Sequence, residues 1–515
     1  MDVFHHCCTY RVREMDFLTS SLLCLLLVTM FVFQALSTFR NGSKQSETKL
    51  PPGPRRLPIF GNLFDLGDKP HRSLAKLAQV HGPVMGLQLG SLFTVVVSSE
   101  TTAKEVLKEQ DLVFCNRPVI DAVRACRFDE FGLSFLPVSP LWRTLRKICA
   151  IHLFSTLKLD ANQYSRRVKT EELIENVRKS CLKGDAINIG QAAFDATINL
   201  LSNTIFSVDL VDPNSSQARG FRQTVWDIFE DAGKPNLADY FPLLRKIDPQ
   251  RIRRRMTVHF EKVLTLFGNM FDERSQSRKS KCFNASNDVL DTLIDIVEDD
   301  VEELDRTHVL HLLLVLFVAG ADTTSNTIEW AMAELLRNPQ ILLKAKKELE
   351  QVIGKGNPIE ESDINRLPYL QAIIKETFRM HPTAPLLLPR RAGSDAGLCG
   401  FKVPEGSQVL VNAWAIGRDP STWKNPDSFT PERFLGSEIN VKGADFGLIP
   451  FGAGRRICPG LPLANRMLHL MLGSLVNCFE WELEDGILSN ELDMEEKFGI
   501  TVKKAKPLRA IPTVV

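Results

Sequence analysis

One short segment constrains this chain more than any other: Phe451-Gly-Ala-Gly-Arg-Arg-Ile-Cys-Pro-Gly460, followed by an apolar helical run over Leu461 to Phe479. Gly452 and Gly454 let the backbone turn tightly and approach a flat ligand closely. Cys458 comes just before the predicted helix, whose free N–H groups and dipole favour a thiolate over a thiol. The segment therefore predicts a cysteine thiolate that can bind a metal beside a planar ligand.

Two alternative interpretations apply to this segment alone. A buried structural cysteine is the commonest fate of a free Cys. The two glycines also fit a nucleotide-binding loop, but the third glycine and the strand–helix–strand context are missing. In the metal-binding interpretation, Pro459 is tolerated in the first helical turn and Gly460 leaves the sulfur accessible. Neither alternative explains the motifs described below.

The segment resembles the F-x-x-G-x-R-x-C-x-G signature of the cytochrome P-450 superfamily, and the resemblance extends from the proline-rich stretch after residue 50 to the C-terminus. It implies a mainly α fold with small peripheral β-sheets. It also implies haem b as the cofactor, with Cys458 as the axial thiolate ligand of the iron and Phe451 beside the haem. Such a thiolate favours cleavage of the O–O bond of dioxygen, which predicts a monooxygenase.

Composition narrows the functional classes. The chain of 515 residues is 44% hydrophobic and 24% charged, as in a folded globular protein, and its net charge of +1 gives no reason to expect a nucleic-acid partner. Its 11 cysteines form no C-x-x-C pair, which disfavours a zinc site or a disulfide framework and fits a reducing compartment. No phosphate-binding, flavin or nicotinamide motif is present. Electrons from NADPH must therefore come through the flavins of a separate protein, and the resemblance implies a membrane-bound NADPH-cytochrome P-450 reductase.

The N-terminal region predicts a membrane anchor. Phe17 to Phe39 holds no charged residue, and a helix of this length crosses a hydrocarbon core of about 30 Å. A cleaved signal peptide is the main alternative. Basic residues dominate after the run, which predicts a cytosolic catalytic domain and single-pass attachment to the endoplasmic reticulum membrane. The predicted organisation is a lumenal tail (1–16), an anchor helix (17–39), a basic and proline-rich linker (40–56) and one haem-thiolate domain (57–515).

Helical patterns dominate the predicted haem domain, with short β-like runs near its start and late in the chain. A polar, basic stretch over Ser275 to Asn287 predicts a surface loop. The predicted helices cover Leu141 to Phe154, Asp195 to Phe206, Arg254 to Arg274, His308 to Arg337 and Leu367 to Met380, and the predicted strands cover Val84 to Leu89, Thr94 to Val97 and Val409 to Val411.

Two separated motifs predict a structural ion-pair triad. Glu376 and Arg379 are three residues apart and share one helix face. Most such pairs are solvated and contribute little to stability. Arg433, however, lies in a Pro-Glu-Arg-Phe segment that resembles the family's P-E-R-F element. The resemblance implies a buried triad of the three residues, and removing any partner of buried charges is costly.

The helix over His308 to Arg337 is predicted to be interrupted at Ala319 to Thr324, where a glycine and two threonine hydroxyls weaken its hydrogen-bond ladder. The resemblance implies that Asp322 and Thr323 are an acid–alcohol pair that relays protons to iron-bound oxygen. A threonine in a packing site is the alternative interpretation. His311, among leucines early in this helix, is predicted to be a packing histidine.

The resemblance also implies haem-propionate partners and a distal wall. Trp142, Arg146, Arg390 and Arg456 are the implied propionate partners, since two buried carboxylates need such donors. Arg143, Lys147 and Arg455 are predicted to be exposed neighbours that form either a reductase-binding patch or an ordinary solvated face. The predicted substrate pocket is apolar and consists of Leu314, Phe317, Val318, Ala321, Leu386, Leu387, Phe498 and Ile500, with Leu388 beside them.

Three longer stretches resemble the plant family that includes geraniol hydroxylases: Ala413 to Asp419, Ile449 to Pro462 and Asp493 to Gly499. We therefore expect hydroxylation of a small lipophilic plant metabolite, a monoterpenol such as geraniol. Sesquiterpenes, diterpenes and phenolics are alternative substrates. A non-catalytic haem-binding protein is the alternative from a different class, although carriers usually fill both axial positions of the iron.

Overall fold

A computed structural model describes residues 49–211, 216–280, 288–299 and 304–515. For residues 216–219 it describes the backbone alone. The predicted lumenal tail, the anchor helix Phe17 to Phe39 and the first part of the linker lie outside the described residues. Within the described ranges, one helix, Arg306–Arg337, is long and apolar enough to cross a membrane, but most of its apolar stretch is buried in the protein.

Helices dominate the fold, and many of them begin with a capping side chain or with proline in the first turn, as helix starts prefer. In chain order the α-helices are α1 (Pro70–His81), α2 (Glu100–Lys104), α3 (Asp111–Phe114), α4 (Phe128–Phe131), α5 (Pro140–Ile148), α6 (Thr156–Ala161), α7 (Gln163–Lys183), α8 (Ile189–Phe206), α9 (Ser216–Gly233), α10 (Leu237–Tyr240), α11 (Ile252–Arg278), α12 (Val289–Glu298), α13 (Arg306–Arg337), α14 (Pro339–Val352), α15 (Pro368–Met380), α16 (Ala413–Ile416) and α17 (Leu461–Cys478).

The strands form small sheets at the periphery. They are β1 (Val84–Leu89), β2 (Leu92–Val97), β3 (Ile187–Asn188), β4 (Arg390–Arg391), β5 (Ala396–Leu398), β6 (Phe401–Val403), β7 (Gln408–Val411), β8 (Phe479–Leu483), β9 (Glu496–Lys497), β10 (Lys503–Lys504) and β11 (Arg509–Val514). The largest sheet has the order β1-β2-β7-β4, in which β2 and β7 are parallel and the other pairs antiparallel. A second sheet has the order β3-β11-β8, and β5-β6 and β9-β10 are hairpins.

Helix α13 is the centre of the main core. The side chain of Asp305 caps its N-terminus by accepting a hydrogen bond from the N–H of His308 at 2.9 Å. Its apolar faces pack against α8, α11, α15 and α17. The helix ends at Arg337. The next residue, Asn338, precedes Pro339 of α14, and the helical conformation is disfavoured for a residue before proline.

The predicted fold class is confirmed, and so is the presence of each predicted helix and strand, although many ends are shifted. Residues 149–153 form a π-helical turn at the end of α5 rather than a continuation of the α-helix. The loop predicted from Ser275 begins too early, because α11 continues to Arg278. There the Ser277 hydroxyl donates to the carbonyl of Glu273 at 2.8 Å, and Arg278 pairs with Asp295.

Candidate active site

Cys458 lies in a loop whose shape depends on glycine. The backbone N–H of Cys458 donates to the carbonyl of Phe451 at 2.9 Å. Gly452 and Gly454 have φ angles of +70° and +69°, in the left-handed region that glycine adopts without strain. A Cβ atom on Gly454 would lie 1.9 Å from the carbonyl oxygen of Leu107. The loop therefore accepts only glycine at this position.

The sulfur of Cys458 faces the start of α17. The backbone N–H groups of Gly460 and Leu461 both donate to it. Burial raises the pKa of the Cys458 thiol, whereas these two N–H groups and the charge of Arg146 lower it. Backbone donors at the positive end of a helix are the surroundings that stabilise a thiolate.

The cysteine also keeps part of its surface accessible. Helix α17 begins only after Gly460, its N-cap residue. The predicted position of Pro459 in the first helical turn is therefore wrong, and Pro462 occupies that turn instead. Because Cys458 lies outside the helix, its side chain is free of helical packing and can serve as a ligand.

Two of the predicted propionate partners, Arg146 and Arg456, lie against the ring of Trp142. The ring centroid of Trp142 lies 4.9 Å from the guanidinium carbon of Arg456 and 5.8 Å from that of Arg146. Arg146 donates to the carbonyl of Ile457, the residue before the cysteine, at 2.8 Å. Arg390 is buried close by, and burial lowers the pKa values of Arg390 and Arg456 to about 10.

Arg117 joins this cluster and was not predicted from the sequence, where a lone arginine before proline gives no signal of burial. It donates to the carbonyls of Leu388 at 2.6 Å and Pro389 at 3.0 Å. Burial, followed by the charges of Arg390 and Arg456, lowers its pKa well below the ordinary value.

Throughout the described ranges, no carboxylate lies within 4 Å of the guanidinium groups of Arg117, Arg146, Arg390 or Arg456. Buried cations are costly without an anion beside them. The cluster therefore fits a ligand that carries two carboxylates and lies next to Cys458, as the two haem propionates would.

Glu376, Arg379 and Arg433 form an ion-pair triad in which Glu376 and Arg379 are fully buried and Arg433 is partly exposed. Arg379 donates to both carboxylate oxygens of Glu376, at 2.7 and 2.8 Å, and neither side chain is exposed. Arg433 donates to the same carboxylate at 3.1 Å, and the backbone N–H of Thr430 at 2.7 Å. Arg379 also donates to the carbonyls of Gly417 and residues 426 and 428, so the triad ties α15 to the segment before the loop.

An accessible strip interrupts the buried length of α13. Ala319 is exposed, and Val318, Gly320 and Thr323 are partly exposed, whereas the residues on both sides are mostly buried. The predicted interruption at 319–324 is wrong, since the helix is continuous. The Thr323 hydroxyl donates to the carbonyl of Ala319 at 2.8 Å without breaking the helix. Gly320 permits close packing instead, because a Cβ there would lie 2.9 Å from Leu201.

Asp322 and Thr323 are adjacent but differently placed. Thr323 belongs to the accessible strip, whereas Asp322 is 3% exposed. Its Oδ2 atom accepts hydrogen bonds from the Asn326 amide at 2.9 Å and from the Thr501 hydroxyl. Burial raises the pKa of the Asp322 carboxyl, and these two donors and Lys503 lower it.

Three of the predicted pocket residues are closely packed. Leu314, Phe317 and Ala321 are at most 1% exposed, and their contact with a substrate stays a prediction. The Phe317 ring packs against Phe206, Phe221 and Phe267, because its position on α13 faces the neighbouring helices and not the accessible strip. Val318 is the predicted residue of this helix that does belong to the strip.

The remaining predicted pocket residues are partly buried: Leu386, Leu387, Phe498 and Ile500. Leu387 approaches the cysteine loop, 3.9 Å from the position of a Cβ on Gly452. The Phe498 ring instead stacks on His71, with centroids 5.4 Å apart and planes 15° apart. Ile500 packs at the edge of the main core.

Two further predictions concern residues around the site. Both ring nitrogens of His311 lie 2.9 Å from backbone carbonyl oxygens, which accounts for it as a packing residue. Arg143, Lys147 and Arg455 are exposed. Arg455 forms an ion pair with Asp111 at 3.0 Å, so this basic residue is at least partly neutralised.

Comparisons with known proteins agree with this geometry. The family model described as Cytochrome P-450 matches residues 51–509. Geraniol 8-hydroxylase of Swertia mussotii is 56% identical over 97% of this chain and 99% of the relative. Drimenol monooxygenase of Persicaria hydropiper is 57% identical over 92% and 94%, respectively. Geraniol 8-hydroxylase of Catharanthus roseus is 54% identical over 97% of the chain and its own full length.

Proposed function

The chain belongs to the cytochrome P-450 family and is a haem-thiolate monooxygenase, and we propose that it hydroxylates an acyclic monoterpenol such as geraniol. The observation that carries this proposal is the similarity to two geraniol 8-hydroxylases along almost the entire chain. A lipophilic substrate also suits the apolar residues beside the cysteine loop. The relative named drimenol monooxygenase, at similar identity, makes drimenol the second candidate.

The residues that hold the haem follow from the cluster around Cys458. We propose that the Cys458 thiolate binds the iron and that Arg117, Arg146, Arg390 and Arg456 receive the two propionates. The Trp142 ring lies beside two of these guanidinium groups. Phe451, which packs edge-on against Phe378 at 5.2 Å, supports the proximal side. When bound, the haem supplies the activation of dioxygen that inserts one oxygen atom into a C–H bond.

We propose that Asp322 and Thr323 move protons on the distal side. Thr323 lies on the accessible strip of α13, where its hydroxyl oxygen can accept a hydrogen bond while its hydrogen is donated to the carbonyl of Ala319. Asp322 is the nearest buried acid, and burial favours its protonated form. A buried acid next to an accessible alcohol can pass a proton inward while the remaining protein excludes bulk water.

An external redox partner must supply the electrons, and we propose that it is NADPH-cytochrome P-450 reductase. Arg143 and Lys147 are exposed on α5, the helix that also carries Trp142 and Arg146. A basic surface this close to the propionate cluster would attract an acidic flavoprotein and place it near the haem edge.

We also propose attachment to the endoplasmic reticulum membrane with the catalytic domain in the cytosol. The described residues support this with exposed apolar side chains from two distant parts of the chain. Phe64 is 69% exposed, Leu243 89% and Ile247 64%. Phe60 links the two parts, since its ring lies 5.4 Å from that of Phe64 and 6.1 Å from that of Phe241. A lipid surface would cover this patch.

Turnover in microsomes tests the proposal. The chain is co-expressed with a plant reductase and supplied with NADPH and either geraniol or drimenol, and products are identified by mass spectrometry. We expect hydroxylated geraniol from the wild type and none from Cys458→Ala. Cys478→Ala, at a buried cysteine far along α17, serves as the matched control and should keep activity. A product from drimenol alone would replace the monoterpenol assignment with the second candidate.

A further inference from the structure

The carboxyl group of Asp322 is held from two different elements. Asn326 lies one turn later on α13 and donates to Oδ2 at 2.9 Å. Thr501 lies 179 residues away in sequence and donates its hydroxyl to the same atom. All three residues are less than 9% exposed. Two donors on one oxygen fix both the rotamer and the rotation of the carboxyl group.

The second carboxyl oxygen, Oδ1, has different surroundings. Among the hydrogen bonds of the described residues, none reaches Oδ1 of Asp322. This atom is also not fully enclosed by protein. Oδ1 therefore retains contact with accessible space. An acid whose Oδ2 is occupied by two donors must take up and release its proton at Oδ1.

Thr501 sits on a hairpin that is itself firmly attached. It lies between β9 and β10, and the N–H of the next residue, Val502, donates to the carbonyl of Thr383 at 2.8 Å. On β9, the buried Glu496 pairs with His71 at 2.7 Å and with Arg72. The position of the Thr501 hydroxyl is thus set in part by contacts of the hairpin outside α13.

The same hairpin carries Ile500, which directly precedes Thr501 and packs at the edge of the main core. The backbone around Ile500 approaches the end of α9, where a Cβ on Gly233 would lie 2.5 Å from its nitrogen. One short segment therefore connects a predicted substrate-contacting residue to the donor on Asp322.

The charged groups near Asp322 come from the neighbouring elements as well as from α13. Lys503 on β10 acts on it directly, and Glu329, two turns later on α13, is close enough for the charge of Asp322 to raise its pKa. Lys504 lies next to Glu329 and lowers the pKa of that carboxyl. A change at Thr501 leaves all three of these charges in place.

We infer that Thr501 is a positioning residue for Asp322: its hydroxyl, together with the Asn326 amide, fixes Oδ2 and leaves Oδ1 as the atom that exchanges the proton. The inference rests on the proposed role of Asp322 in proton delivery. Thr501→Val removes the hydroxyl and keeps the shape, whereas Thr501→Ser keeps the hydroxyl. Thr170→Val is the matched control, because this buried hydroxyl bonds within its own helix, to the carbonyl of Arg166 at 2.9 Å.

Infrared difference spectroscopy measures the protonation of the Asp322 carboxyl group without turnover. Bands absent from Asp322→Asn identify Asp322, and their pH dependence gives its titration midpoint. Since the Thr501 hydroxyl stabilises the charged form, Thr501→Val should shift the midpoint upward by about one pH unit and displace the band. Thr501→Ser and Thr170→Val should match the wild type. Unchanged bands and midpoint in Thr501→Val would overturn the inference.

The amount of product formed per NADPH consumed measures the effect of Thr501 on proton delivery. Thr501→Val should retain the carbon-monoxide spectrum and NADPH consumption, but yield about fivefold to tenfold less product per NADPH and more hydrogen peroxide. Thr501→Ser should recover the yield. Equal yields in Thr501→Val and the wild type would contradict the inference. If the wild type converts neither geraniol nor drimenol, the substrate proposal fails, and the infrared result still decides the role of Thr501.

Discussion

Replacement of Glu376 by glutamine keeps the shape of the side chain and removes one charge from the buried triad. The carboxylate accepts hydrogen bonds from Arg379 at 2.7 and 2.8 Å, from Arg433 at 3.1 Å and from the N–H of Thr430 at 2.7 Å. An amide in its place directs an NH₂ group at one of these donors. The 1%-exposed Arg379 then loses its counter-ion.

The expected cost follows from this burial. Breaking a buried ion pair by removing one partner costs about 3–5 kcal/mol. A folded domain has a total stability of roughly 5–15 kcal/mol, so the variant should lose a large part of it. The equilibrium constant for unfolding should rise by roughly two to four powers of ten. Because Arg379 also holds the segment before the cysteine loop, the haem should be lost together with the fold.

Urea titration followed by haem absorbance measures this loss, with the rate of haem release as a second measurement where unfolding is irreversible. The matched control is Glu130→Gln. Glu130 pairs with Arg127 at the same spacing of three residues, but the two side chains are 52% and 66% exposed. Such a pair contributes little, and we expect no measurable change. Adding Arg379→Met to Glu376→Gln should recover part of the loss. Equal effects of Glu376→Gln and Glu130→Gln would refute the reasoning.

Three further outcomes are expected. Arg117→Leu should lower the haem content of the purified protein, because a buried partner of the propionates is lost, whereas the exposed Arg143→Leu should not; pyridine haemochrome assays measure both. Gly454→Ala should prevent assembly of the cysteine loop and abolish the carbon-monoxide spectrum, since its Cβ would lie 1.9 Å from a carbonyl oxygen. Gly436→Ala is the control, at a similar φ of +67° with no atom within 4 Å of the added Cβ, and it should keep that spectrum. Burial raises the pKa of Glu496, but hydrogen bonds from His71 and Arg72 outweigh it and lower the pKa from 4.5 to about 2. The stability that Glu496 contributes is therefore present above pH 4.5 and lost as the pH falls toward 2, and the urea midpoint of Glu496→Gln should depend less on pH in this window.

Local sequence signals predicted much of the fold. The long apolar run of helix α13 predicted its two ends to within two residues, and the structure adds an aspartate cap before it and a proline-led helix after it. The glycines around Cys458 predicted a tight loop because glycine adopts positive φ angles without strain. Where the outcome depends on such local rules, sequence and structure agree.

Long-range packing was the part that sequence could not provide. Phe317 and Val318 are neighbours in an apolar run, and only the positions of α8, α9 and α11 decide that one faces aromatic rings and the other the accessible strip. Arg117 belongs to the cationic cluster because segments more than 250 residues apart meet there, as its hydrogen bond to Leu388 shows. The contact of Thr501 with Asp322 is of the same kind.

The parallel pairing of β2 with β7 has a consequence for synthesis on the ribosome. Thr94 and Gln408 are paired although 314 residues separate them. At about 5–20 residues per second, translation needs on the order of 15 to 60 s to reach β7 after β2 has been made. During that interval the β1–β2 hairpin presents Val95, Val96 and Val97 along an unpaired edge, which other chains can join. We therefore expect nascent chains to be prone to aggregation through this edge until the later strand arrives.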